Sequence, residues 1–208
     1  MATVTKPEPQ ARTDIPAIVP YDMTVDLFDR IVEAGLLPHD RRIFLWDGRL
    51  CEKMAKTRAH VSIGGSVTMA LARTLPDGWS LVPEGTIVLD ERNSPLPDFS
   101  VVRTADLVGL REPSRYPGPN DVGILIEIAV TSLKSDLSDS LEAYARAGIP
   151  VYWVVDVAGR RVFVHSEPAT IENRGQYGKV EIIGPGGQIP LVLDGEKLAE
   201  IPFDSIMK

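Results

Sequence analysis

The segment Ile124–Val130 is apolar at every position except Glu127. A strand apolar on both faces belongs in the middle of a sheet, with other elements covering each side. That limits the chain to layered folds in which helices flank a sheet. It also sets a carboxylate where water is scarce. Such a group needs compensation by a cation, by several hydrogen bonds or by its own proton. A metal ion is one such cation, and a structural Arg or Lys is another.

Asp98 is the second informative acid. It follows Pro97 at the start of the apolar stretch Phe99–Val102. Proline donates no backbone hydrogen bond, so it suits a strand's edge or beginning. A carboxylate there can point out of the sheet and meet one from the neighbouring strand. A simple turn aspartate is the alternative. Together, Asp98 and Glu127 can share a hard divalent cation, Mg²⁺ or Mn²⁺. Mg²⁺ takes few carboxylates, keeps waters and accepts phosphate oxygens. That chemistry serves phosphodiester hydrolysis. Glu52 is either a third carboxylate for the ion or an edge glutamate paired with Lys or Arg.

Local patterns place these residues. Thr24 reads as the cap of an amphipathic helix over 25–34, closed by Gly35. Residues 42–54 read as a hairpin about Asp47-Gly48, a pair suited to a two-residue turn. Alternation on its second strand puts Leu50, Glu52 and Met54 on one face and Cys51 and Lys53 on the other. A second helix starts at Thr57, with Ile63, Val67, Leu71 and Leu75 as one stripe. Short strands are expected at 80–82, 86–89 and 99–102. A helix is expected over 137–147 with Tyr144 on its inner face, then a hairpin of 151–156 with 161–165. The fold class is α/β (α+β): a mixed β-sheet flanked by helices, with an N-terminal β-hairpin. Residues 1–20 carry four prolines and read as a flexible arm, with 21–208 a single domain.

Composition removes several functions. Lys and Arg total 22 against 29 Asp and Glu, a net charge of −7. A uniformly basic nucleic-acid binder is excluded. The single cysteine, Cys51, excludes an intrachain disulfide and a cysteine-rich zinc site, and it suits a reducing cytoplasm. No apolar run suits a signal peptide or a membrane span, so a cytoplasmic protein without membrane contact is expected. The charge is uneven, however. Residues 41–60 hold six Arg or Lys against Asp47 and Glu52. Lys53, Lys56, Arg58 and His60 there are candidates for phosphate-backbone contacts. A solvated hairpin face would carry the same charges.

PDFSVV, ILIEIAVTSLKSD and LEAYARAGIPVYWVVD resemble the Uma-two family of bacterial proteins, in the PD-(D/E)xK nuclease superfamily. The stretch WDGRLCEKM and His60 resemble that family's N-terminal block. The resemblance covers about residues 40–165. It implies a restriction-endonuclease-like sheet and a metal-dependent endonuclease acting on DNA. Asp98 and Glu127 would be the metal-binding acids, with the Ile128 backbone carbonyl as a further ligand. DNA binding is expected to be weak and salt-sensitive, and a homodimer suits an enzyme that cuts both strands.

The sequence departs from the superfamily pattern at the lysine. The motif would place it two residues after Glu127, where Ala129 stands. The lysine that family members carry on the following helix corresponds to Ser140. Its ammonium would orient the attacking water and stabilise the transition-state charge. Lys134, between Glu127 and that helix, is the expected catalytic substitute, with a solvated loop lysine as the alternative. The alternative is a degenerate domain that binds nucleic acid or a protein partner without cutting. A structural homo-oligomer is a third reading.

Overall fold

The structure is a computed structural model that describes residues 21–106 and 116–207. The expected arm over 1–20 lies outside the described residues. Local signals set the first elements. Thr24 Oγ1 accepts the Leu27 N–H at 3.3 Å and caps α1 (Val25–Glu33). Strands β1 (Ile43–Trp46) and β2 (Arg49–Glu52) pair antiparallel about Asp47-Gly48. Both turn residues have positive φ, 48° and 71°, as a tight two-residue hairpin turn requires. Thr57 caps α2 (Arg58–Ala72) through the His60 N–H at 3.2 Å.

The main sheet has six strands in the order β3-β4-β5-β6-β7-β8. These are β3 (Trp79–Pro83), β4 (Phe99–Arg103), β5 (Val122–Ala129), β6 (Val151–Asp156), β7 (Arg161–Ile171) and β8 (Arg174–Ile183). Only β5 and β6 pair in parallel. Parallel neighbours need a crossover. Here it consists of α3 (Leu133–Ser135), a π-helical turn over Asp136–Ser140 and α4 (Leu141–Arg146). A separate pair, β9 (Gln188–Leu193) and β10 (Glu196–Pro202), precedes α5 (Phe203–Ile206). This is the mixed sheet flanked by helices, with a hairpin near the N-terminus, that the sequence predicts. No described helix is long and apolar enough to cross a membrane.

All eight residues of β5 are buried. Ile124, Ile126 and Ile128 pack with Ile63, Val67 and Leu71 of α2 and with Leu191 and Phe203. Leu125 and Ala129 face the other way, toward Tyr144, Ile149 and Tyr152. Both faces are therefore covered, which explains the unbroken apolar run. Glu127 shares its side of the strand with Leu125 and Ala129 and so faces the crossover.

Two elements differ from expectation. Thr86–Leu89 forms no strand. Its amides reach three separate acceptors, Pro95, Pro117 and Asn93, instead of one continuous partner strand. The crossover helix begins at Leu133 rather than near 137, and its π turn interrupts the regular spacing that periodicity assumes.

The helix α4 is seated against β8 at Gly175. A Cβ at Gly175 would stand 2.0 Å from the Glu142 carbonyl oxygen and 2.3 Å from the Arg146 nitrogen. Gly175→Ala must push α4 off the sheet and should destabilise the fold by about 1–3 kcal/mol. Gly65 in α2 is the opposite case, with nothing within 4 Å of an added Cβ. Gly65→Ala should stabilise by about 0.5–1 kcal/mol, because alanine loses less backbone freedom on folding. Urea midpoints of the two variants, read against the parent chain, check both signs.

Candidate active site

Four parts of the fold converge on the Asp98 end of β4. The hairpin ladder continues past β2, because the Lys53 N–H donates to the Arg42 carbonyl at 2.8 Å. Leu50 and Met54, on the opposite face of that segment, are exposed, so Lys53 turns inward. Its ammonium donates to the Leu96 carbonyl at 2.6 Å and to Glu127 Oε2 at 3.3 Å, and it meets Asp98 Oδ1 at 2.7 Å. All three ammonium donors thus have partners.

The two acids brace each other across the strands. The Asp98 N–H donates to Glu127 Oε2 at 3.2 Å, and the Ile128 N–H donates to Asp98 Oδ2 at 2.8 Å. His60, in the first turn of α2, donates from Nε2 to Asp98 Oδ2 at 2.8 Å. From α4, the Tyr144 hydroxyl donates to Glu127 Oε1 at 3.0 Å. Tyr144 is itself fixed by edge-on contacts with Tyr152 and Trp46, ring centres 5.0 and 6.4 Å away.

The electrostatics follow from burial and charge. Burial alone would raise the Asp98 pKa. The His60 hydrogen bond, the Lys53 charge and the Ile128 N–H outweigh it and hold the carboxyl far below the usual range. Glu127 is largely buried, and burial pushes its pKa up to about 8 despite the nearby Lys53. Burial opposes the Lys53 charge, but Glu127 and Asp98 overcome that and raise its pKa. One ammonium balances one carboxylate here, and the second acid has no full counter-charge.

These groups line a cleft of about 360 Å³. Ser132, Asp136, Asp139 and Ser140 of the crossover line it as well, as do Lys56 and Ile128. Asp136 accepts the Ser132 hydroxyl at 2.6 Å, and burial raises its pKa.

The expected site residues divide as follows. Asp98, Glu127, His60 and the Ile128 backbone come together. Lys53, expected at a nucleic-acid surface, sits between the two acids. Glu52 does not join them: its carboxylate is half-exposed and pairs with Arg41 at 3.2 Å. Among the described residues, no group of three or more His, Cys, Asp or Glu is arranged to hold an ion. Lys134 is exposed and does not line the cleft, because α3 turns it to solvent. Lys56 pairs with Glu84 at 3.3 Å, and Arg58 is exposed at the start of α2. Sequence reasoning did not anticipate Tyr144 as a partner of Glu127. Its place on the inner face of the crossover helix was the available signal.

A helix-flanked mixed sheet that brings two carboxylates together in the lining of a cleft is restriction-endonuclease-like in architecture. The profile of the Uma2 family, described as "Putative restriction endonuclease", matches residues 26–199, and the chain belongs to that family. A crystal structure of "a putative nuclease belonging to DUF820" from Anabaena variabilis ATCC 29413 has a similar fold. Its TM-score is 0.63 at 15% sequence identity, covering 89% of this chain and 97% of that one. No curated protein matches the chain in sequence.

Tyr144→Phe leaves Glu127 Oε1 without its hydroxyl donor inside the protein. The variant should lose about 1–3 kcal/mol, the usual cost of an unsatisfied buried polar group. Chemical denaturation of the two proteins measures it.

Proposed function

We propose that the chain is a metal-dependent endonuclease that hydrolyses DNA phosphodiester bonds in this cleft. Asp98, Glu127 and the Ile128 carbonyl would hold Mg²⁺ or Mn²⁺. One observation carries the reading. Two buried carboxylates from adjacent strands converge on a single cation, Lys53, at the edge of an open cleft. Membership of the Uma2 family supports the same reaction class.

The donor set fits the ion. Carboxylate and carbonyl oxygens are hard ligands, and Mg²⁺ binds through one or two carboxylates with water completing its shell. Asp98 Oδ1 is buried with the Lys53 ammonium as its partner, and the pair of acids exceeds that one positive charge. A divalent ion there supplies Lewis-acid polarisation of a phosphate oxygen and acidifies water. The chain's own groups do the rest. His60 and the Ile128 N–H hold the Asp98 carboxylate ionised and in one orientation. Tyr144 fixes Glu127. Arg58, exposed beside the cleft, and Lys56, on its wall, attract the phosphate backbone, which makes DNA affinity fall with added salt.

The test is cleavage of supercoiled and linear DNA with Mg²⁺, with Mn²⁺ or with EDTA. The parent chain should cut only with metal. Asp98→Asn and Glu127→Gln should each lower the rate by about 100-fold or more, the scale set by removing a group that stabilises transition-state charge. Equal cleavage by a variant carrying both changes would overturn the assignment. Ala129 and Ser140 at the superfamily's lysine positions favour a second reading, a domain that binds DNA without cutting. Salt-sensitive binding with no cleavage under any metal would establish that one.

A further inference from the structure

We propose that Lys53 is the catalytic lysine of this site, delivered by the N-terminal hairpin in place of a lysine at position 129 or 140. The inference rests on the nuclease reading above and adds a residue role to it.

Neither superfamily position supplies the cation. Ala129 faces the same side as Glu127 but is closed into the apolar cluster with Leu125, Tyr144 and Tyr152. An ammonium could not stand there without repacking that cluster. Ser140 lines the cleft but carries no charge. Lys134 is nearer in sequence, yet it is exposed and outside the cleft lining. Lys53 alone among the described lysines touches both acids, at 2.7 and 3.3 Å.

The position of Lys53 suits work on a substrate. A purely structural cation could be sealed in the core. Lys53 instead lines the cleft with its side chain still 19% exposed. Its ammonium is held by the Leu96 backbone carbonyl and by the side-chain carboxylates of Asp98 and Glu127, so little is lost in orienting it. A phosphate that enters the cleft meets the ammonium beside the acid pair. In the reaction, water oxygen bonds to phosphorus and one phosphorus–oxygen bond to a sugar breaks. One water proton ends on the departing sugar oxygen and the other on the phosphate or solvent. The ammonium is a donor only, so it takes no proton. It stabilises the negative charge that grows on the phosphate oxygens and on the attacking oxygen.

The experiment uses the full chain and the variants K53M, K53R, S140K, K53M/S140K and K134A. It measures cleavage of supercoiled DNA with Mg²⁺ or Mn²⁺, Mn²⁺ binding by titration calorimetry and thermal unfolding. K53M should fold, bind Mn²⁺ at least as tightly as the parent and cut about 100-fold more slowly. Tight Mn²⁺ binding is expected because a competing cation has gone. K53M/S140K, which returns an ammonium from across the cleft, should cut about 10-fold faster than K53M, while K134A should match the parent. Cleavage by K53M within about threefold of the parent overturns the role. So does loss of Mn²⁺ binding together with cleavage, since Lys53 would then only hold the acids in place. If K53M does not fold, K53R keeps the charge but changes the donor geometry, and parent-level cleavage by it overturns the role. Cleavage by S140K but not by the parent overturns Lys53 alone and leaves the acid pair intact. Absence of cleavage in both overturns the nuclease reading and the Lys53 role with it.

Discussion

Two carboxylates and one ammonium share the junction of β4, β5 and the hairpin, and the surrounding structure is arranged to make that tolerable. Charged groups withdrawn from water are costly, and mutual attraction repays the cost only when every remaining polar atom is also satisfied. Here several elements supply partners, although His60 Nδ1 is buried without one. The β4–β5 pairing supplies two backbone N–H donors, α2 supplies His60, α4 supplies Tyr144, and the chain before β4 supplies the Leu96 carbonyl. Removing any one of these elements leaves a buried polar atom unpaired. The site thus ties the hairpin, β5, α2 and α4 to one point beside Asp98.

The apolar framework fixes these donors in position. β5 is enclosed on both faces, so its backbone register against β4 cannot slip without exposing isoleucines. That register sets the Ile128 N–H opposite Asp98. On the other face, the close seat of α4 against Gly175 determines where Tyr144 stands and hence which oxygen of Glu127 it reaches. The π turn just before α4 widens the helix at Asp136–Ser140, where three of the cleft-lining residues lie. Such turns occur often at functional sites, because they re-aim side chains without ending the helix.

Much of this was legible in the sequence. A lone glutamate in an unbroken apolar strand and an aspartate after proline at the start of another mark both acids, since burial and strand geometry are local properties. The hairpin and two helix caps are equally local. What could not be read was which face of the hairpin meets the body. Leu50 and Met54 are apolar but face solvent, while Lys53 on the other face turns in. That choice depends on long-range contacts. The buried Leu45 pairs with Ser94, and the Asp47 N–H reaches Asn93 Oδ1 at 2.8 Å. Lys134 misled for the opposite reason: nearness along the chain fixes reach but not direction, and a short helical turn points it outward. The absent strand at 86–89 is similar, because propensity cannot show that its amides have scattered acceptors.

The hairpin is a two-stranded sheet of its own, outside the six-stranded one. It is tied to the body through the Arg42–Glu84 ion pair, Leu45, the Trp46 ring on Tyr144, Asp47, Gly48 and the Lys53 ammonium. The cation of the site is therefore carried by a module that shares no strand with the main sheet. Whatever seats the hairpin against the body also sets where the ammonium stands relative to Asp98 and Glu127. A stretch of about ten residues at the edge of the fold thus supplies the positive charge at its centre.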